Sequence, residues 1–99
     1  MTSLLSSVEK DRALKELPDW SNTKTRNAIA RTFTFKDFKS AFAFMNRVAD
    51  IAEDMNHHPE WFNVYNRVDV TLATHDAGGV TEKDITLARL MDDVFAKES

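Results

Sequence analysis

Hydrophobic positions along this chain change period several times, and each change marks an element. From Ile29 to Phe35, the residues Ile29, Arg31, Phe33 and Phe35 alternate with Ala30, Thr32 and Thr34. Period two predicts a strand, because successive side chains leave opposite faces. Trp20 and the run Ala28 to Phe35 bracket the polar stretch Ser21 to Asn27, which predicts a hairpin whose second strand carries the clearer alternation. From Phe38 to Met55 the spacing becomes three and four, the mark of a helix. Trp61 to Tyr65 and Val68 to Thr74 return to strand-like runs with Asn66 in a tight turn between them, placing Val68, Val70, Leu72 and Thr74 on one face and Asp69, Thr71, Ala73 and His75 on the other. Helices flank this centre. Ser6 with Glu9 three residues on forms a capping box before Val8, Ala13, Leu14 and Leu17, and Pro18 ends that helix. After the Gly78-Gly79 loop, Thr81 with Asp84 starts a last helix buried through Leu87, Leu90, Met91 and Val94.

The order α-β-β-α-β-β-α predicts an α+β fold: a four-stranded antiparallel sheet with three helices packed on one face. Ninety-nine residues suit one domain, spanning 1–99, with residues 1–5 expected to be disordered. The long helix carries two apolar stripes, one at Phe38, Ala41, Phe42, Met45, Ala49 and Ala52, the other at Phe44, Val48, Ile51 and Met55. One stripe can pack on the sheet. The other needs a second helix or another subunit, which favours oligomerisation, with Phe44→Glu as a test of that stripe; both stripes could also be core within one subunit.

Composition removes several classes of function. Thirteen basic and sixteen acidic side chains give a net charge of -3 with no long block of either sign, which argues against direct nucleic-acid binding. The absence of cysteine excludes disulfides, thiolate metal sites and a cysteine nucleophile. No apolar run approaches a membrane span, and Met1 to Ser7 lacks the pattern of a signal peptide, so a cytoplasmic protein without a membrane role is expected.

All three histidines fall between positions 57 and 75. Histidine exchanges protons near neutral pH and is also the commonest metal ligand. Pro59 stiffens the corner that holds His57 and His58. If the second hairpin returns His75 to the strand entry, three imidazoles converge, with Trp61 as an aromatic wall and Glu53 as a nearby carboxylate. Such a pocket suits a flat heterocycle handled by one imidazole acid and one imidazole base. Plainer readings stand beside this one. The paired histidines could be a polar loop, Trp61 a core anchor, Glu53 a solvated helix residue, and Thr81 and Asp84 a helix cap. Three histidines could also bind zinc, although His57-His58 lacks the i, i+4 spacing of a helical zinc motif.

The segment Glu53-Asp54-Met55-Asn56-His57-His58-Pro59-Glu60-Trp61-Phe62-Asn63-Val64-Tyr65-Asn66, followed by Val70-Thr71-Leu72 and Thr74-His75, closely resembles the signature of pterin-4a-carbinolamine dehydratases. Gly79-Val80-Thr81 with Asp84 resembles the family's last loop and helix start, and Phe33 to Met55 its second strand and long helix. The resemblance implies dehydration of 4a-hydroxytetrahydrobiopterin to quinonoid dihydrobiopterin, a step in tetrahydrobiopterin recycling, with neither metal nor redox cofactor. It implies that His57, His58 and His75 form the active site, with His57 and His75 as the main acid/base pair and His58 binding substrate or serving the other stereoisomer. Glu53 would orient an imidazole, Trp61 would line the pterin pocket, and Thr74 and Asp84 would contact the ring or support the histidines. The family pattern carries aspartate where this chain has Asn56, which leaves the division of acid and base roles open. A homotetramer or homodimer assembled through helix 38–55 and sheet edges is also implied. So is a competing role: animal relatives bind the dimerisation helices of a hepatocyte homeodomain transcription factor as coactivators, which would add a nuclear location.

Overall fold

The computed structural model describes residues 3–98. Helix α1 (Ser7–Lys15) begins as the capping box predicts, with the Ser6 hydroxyl accepting from the Glu9 amide and the Glu9 carboxylate accepting from the Ser6 amide. None of its residues is buried, and Val8, expected on its inner side, is exposed. Leu5 and Leu17, just outside the helix, anchor it instead. Leu17 is buried, while Leu5 packs against the core and donates its amide to the Val80 carbonyl at 3.0 Å. Of residues 1–5, expected to be disordered, Met1 and Thr2 lie outside the described residues, whereas Leu5 is packed and hydrogen-bonded.

Four strands, β1 (Ser21–Asn22), β2 (Ile29–Thr34), β3 (Glu60–Val64) and β4 (Arg67–Leu72), form one antiparallel sheet in the order β1-β2-β4-β3. The first hairpin is lopsided: β1 is only Ser21–Asn22, while β2 spans Ile29–Thr34 and pairs along its whole length with β4 (Arg67–Leu72). β3 (Glu60–Val64) joins β4 through the two residues Tyr65 and Asn66. Asn66 ties this turn to the end of β2 by donating its side-chain amide to the Phe35 carbonyl and accepting the Phe35 amide, each at 2.8 Å.

The inner row of β2 contains a charge. Arg31 lies between the buried Ile29 and Phe33, and its guanidinium sits 4.3 Å from the Phe33 ring centre and 2.7 Å from Asp92 Oδ1. Asp92 also accepts the Trp20 indole N–H at 2.8 Å, so the inward charge is paired and its long stem covers apolar surface.

Helix α2 (Phe38–Met55) starts where the Asp37 side chain accepts the Ser40 amide, and it ends at Asn56 in the left-handed conformation. It buries Ala41, Phe44, Val48 and Ala52. This corrects the division into two stripes: Ala41 and Ala52 of one row join Phe44 and Val48 of the other on one inner face, and Phe44, offered as a probe of assembly, is a fully buried core residue that packs on Phe33 and Phe35. Phe38, Phe42 and Ala49 of the first row are left exposed, and the Phe38 and Phe42 ring centres are 5.6 Å apart. Helix α3 (Glu82–Glu98) buries Asp84, Ile85, Leu87, Ala88, Met91 and Val94, while Leu90 is only half-buried. The inner residues of β2, β4, α2 and α3 make one core, with the helices on one face of the sheet. The other face leaves Phe62 and Val64 of the edge strand β3 exposed. No described helix is long and apolar enough to cross a membrane.

Candidate active site

The end of α2 and the end of β4 deliver the histidines to one place. Asn56 adopts φ 51° and ψ 44°, a conformation asparagine accepts more readily than most residues, and it reverses the chain after the last turn of α2. The His57 amide still reaches back to the Ala52 carbonyl at 3.0 Å, so the paired histidines leave the helix at a fixed angle. On the other side, β4 loses strand regularity after Leu72, and Thr74 pairs with Gly79 across a short turn. His75 opens a 3-10 turn over His75–Ala77 instead of continuing a strand face, and Gly78 closes it at φ 80°. A Cβ at Gly79 would meet the Asn27 side-chain amide at 2.2 Å and the Leu4 side chain at 2.9 Å, so a larger residue there would have to displace both.

Between these ends lies an open cleft of about 390 Å³ lined by Asn56, His57, His58, Pro59, Glu60 and Ala73 through Asp76, with Lys83 from the first turn of α3. Each histidine faces a carboxylate, in three different settings. His57 is buried, and its Nε2 stands 2.6 Å from Oδ1 of the fully buried Asp84. The other Asp84 oxygen accepts from the Thr74 hydroxyl at 2.8 Å and the Thr81 amide at 2.9 Å. Thr81 Oγ1 in turn lies 2.7 Å from Thr74 Oγ1 and accepts the Lys83 amide at 3.2 Å. Asp84 is therefore both helix cap and histidine partner, and its carboxylate is supplied with donors on both oxygens.

His58 is exposed, with Nε2 2.5 Å from Glu53 Oε1 one turn back on α2. His75, also exposed, has Nε2 3.4 Å from Glu60 Oε2. Glu60 meets Arg26 through two parallel hydrogen bonds of 2.7 and 2.8 Å, and that guanidinium holds the Glu60 carboxyl below the usual carboxylate range. Arg26 belongs to the loop between β1 and β2, whose turn is closed by the Thr23 hydroxyl donating to the Arg26 carbonyl at 2.6 Å.

The structure thus brings His57, His58, His75 and Thr74 to the cleft, with Asp84 behind His57 and Glu53 beside His58. Trp61 stands apart: half-buried, it packs against the core from the inner row of β3 and does not line the cleft. Sequence reasoning missed Glu60, Arg26 and Lys83. Glu60 sits inside the His57-His58-Pro59-Glu60-Trp61 run, and its alternation with Trp61 places it on the outward row; Arg26 carried no signal, because its partner is 34 residues away. Among the described residues no group of three or more histidine or acidic side chains is arranged to hold a metal ion.

Imidazoles backed by carboxylates around an open cleft can give and take protons. Residues 3–94 match the family described as pterin 4 alpha carbinolamine dehydratase. A Burkholderia multivorans protein given the provisional name pterin-4-alpha-carbinolamine dehydratase is 58% identical over 96 residues, covering 97% of this chain and 94% of the relative. A Rhodopseudomonas palustris protein with the same provisional name is 58% identical over 99 residues, covering 100% and 98%. A crystal structure described as a transcriptional coactivator/pterin dehydratase from Brucella melitensis superposes with a TM-score of 0.91 at 53% identity, covering 93% of this chain and 98% of that one. A pterin dehydratase-like RuBisCO assembly factor of the alpha-carboxysome, 20% identical with a TM-score of 0.67 over 78% of this chain and 89% of that one, shares the fold. Fold and sequence converge: the chain belongs to the pterin-4-alpha-carbinolamine dehydratase family, a family of dehydratases.

Proposed function

We propose that this protein dehydrates 4a-hydroxytetrahydrobiopterin to quinonoid dihydrobiopterin and water, as a step in recycling tetrahydrobiopterin. The observation that carries the reading is the cleft in which His57, His58 and His75 each face a carboxylate. In the reaction the bond from ring carbon 4a to its hydroxyl breaks as that oxygen takes a proton and leaves as water. Ring nitrogen 5 gives up its proton, and its electron pair closes the new double bond to carbon 4a. One imidazole that donates and one that accepts supply both transfers, each worth about 10²–10⁴ in rate.

His57 and His75 are the proposed acid/base pair. Asp84 and the Thr74 hydroxyl behind it fix the tautomer of His57: a carboxylate at Nε2 keeps the ring proton on that nitrogen and leaves Nδ1 for the substrate. His58, held by Glu53, binds the pterin or serves the other stereoisomer. Trp61 supports the wall through the core packing of β3. No metal or redox cofactor enters this scheme. The test is to generate the carbinolamine with an aromatic amino acid hydroxylase and follow its disappearance with and without this protein. Acceleration far above the spontaneous rate is expected, and no acceleration at micromolar protein removes the proposal.

The same reading includes self-association into a homodimer or homotetramer through α2 and the β3 edge, supported by exposed Phe38 and Phe42 on the helix and Phe62 and Val64 on the strand. The α2 face also supports a second reading, binding of a helical transcription-factor dimerisation segment, because the Brucella melitensis relative carries the coactivator description. Mixing the protein with such a helical peptide and measuring the mass of the product tests it. Heteromeric complexes favour coactivation, and unchanged masses reject it.

A further inference from the structure

His75 is the most exposed histidine of the cleft, with 79% of its side chain open to solvent, and it sits on a three-residue turn between two loops. Core packing holds His57, but nothing comparable holds this ring, and an unrestrained side chain spends little time in any single orientation. Proton transfer requires the reacting nitrogen within hydrogen-bond reach of the substrate. The ring therefore needs an external guide.

Glu60 is placed to be that guide. It opens β3 directly after Pro59, on the outward row opposite Thr71. Both of its oxygens are gripped by the Arg26 fork, whose planar geometry fixes the carboxylate in orientation as well as position. Arg26 is itself anchored. The Thr23 hydroxyl holds its carbonyl, the Thr23 amide bonds the Ala28 carbonyl at 3.0 Å, and Lys10 Nζ donates to the neighbouring Asn27 side chain at 2.9 Å. A second recess of about 180 Å³, lined by Arg26, Asn27, Gly78 and Gly79, shares Ala73, Thr74 and His75 with the main cleft, so His75 borders both. The loop before β2 thereby reaches the chemistry through Glu60.

We propose that Glu60, fixed by Arg26, is a positioning residue for His75: its Oε2, 3.4 Å from Nε2 of the ring, draws the ring proton to that nitrogen and leaves Nδ1 as the nitrogen that exchanges a proton with the substrate. A fixed carboxylate also offsets the charge that the ring acquires when it takes a proton. The other charged or titratable groups around His75 are Asp76 beside it in the turn, Lys83 from α3, and His57 and His58 across the cleft. This role rests on the reading of His75 as an acid/base group.

The experiment compares wild type, Glu60→Gln, Arg26→Gln, His75→Ala and the double variant Glu60→Gln/His75→Ala, measuring kcat, KM, the pH profile of kcat, and the ¹⁵N chemical shifts of the His75 ring. Glu60→Gln should lower kcat about tenfold with KM within twofold, move the pH profile, and shift the ring signals away from a single Nε2–H tautomer. Arg26→Gln should act in the same direction, and Glu60→Gln should add nothing once His75 is alanine. Wild-type kcat in Glu60→Gln, with His75→Ala inactive, overturns the positioning role and leaves the acid/base reading standing. A lowered kcat with unchanged His75 ring signals also overturns it, because the loss would not pass through His75. Wild-type activity in His75→Ala would remove the underlying reading instead.

Discussion

His57 Nε2 lies 2.6 Å from Oδ1 of Asp84, a carboxylate with no solvent exposure whose other oxygen takes the Thr74 hydroxyl and the Thr81 amide. One side chain therefore joins the end of α2, the end of β4 and the start of α3. Removing it should cost both stability and activity. Asp84→Ala leaves the His57 ring, the Thr74 hydroxyl and the Thr81 amide without their acceptor, and loss of one member of such a buried pair costs about 3–5 kcal/mol. Asp84→Asn keeps the volume, so its stability loss should be smaller while kcat still falls by about 10² or more. Urea unfolding and steady-state kinetics on the two variants check this, and wild-type kcat in Asp84→Asn would separate Asp84 from the chemistry.

The reversal at Asn56 gives a stability prediction with a built-in control. Asn56→Ala places a Cβ-bearing residue without asparagine's local polar contacts at φ 51°, at a cost of about 1 kcal/mol. For a chain of this size that lowers the melting temperature by about 4–8 °C. Asn56→Gly should melt within about 2 °C of wild type, because glycine carries no Cβ penalty there. A thermal melt of both variants decides it; equal losses would show that the conformation of residue 56 is not what matters.

Assembly through α2 is tested at Phe42 rather than Phe44. Phe44 is fully buried against Phe33 and Phe35, so Phe44→Glu should unfold the subunit by placing an unpaired charge in the core. Phe42 is 47% exposed, and Phe42→Glu should preserve the fold while lowering the mass measured by light scattering. A folded Phe42→Glu protein of unchanged mass would exclude that side of α2 from the interface.

Acid behaviour follows from Asp92. Burial is the largest influence on its carboxyl and raises it above the ordinary value of 3.8, against the opposing pull of Trp20 and Arg31. An acid raised on folding binds its proton more tightly in the native state. Its contribution is therefore fully present below the unfolded value and is lost as pH rises through the folded one. Asp92→Asn removes that dependence. The stability difference, wild type minus Asp92→Asn, should be most favourable to wild type near pH 3 and shrink toward pH 7. Urea midpoints at the two pH values read it, and a difference that grows with pH contradicts the assignment.

Much of this organisation is visible in the residues alone, for identifiable reasons. α2 is legible to its ends, because Asp37 and Asn56 are strong boundary residues around a run with clear helical spacing. β4 is legible because Val68, Val70 and Leu72 alternate cleanly with half-exposed residues. The inner face of α2 is not legible, because spacing alone does not tell which side faces the sheet; that depends on how Phe33, Phe35 and Phe95 pack around Phe44. The end of β4 at Leu72 is not legible, because the Thr74–Gly79 bridge that precedes the turn at His75 joins residues across a loop. The histidines were conspicuous as a cluster, and Glu53 lay within one helical turn. The Glu60–Arg26 pair was not, because it joins distant segments by a geometry that no local period encodes.

The central claim is that imidazoles in this cleft move the protons of a carbinolamine dehydration. Its most direct measurement is the rate of dehydration of enzymatically generated 4a-hydroxytetrahydrobiopterin by wild type, His57→Ala and His75→Ala, each shown to be folded by circular dichroism. Strong acceleration by wild type and a loss of about 10² or more in each variant are expected. Equal rates in all three proteins would contradict it.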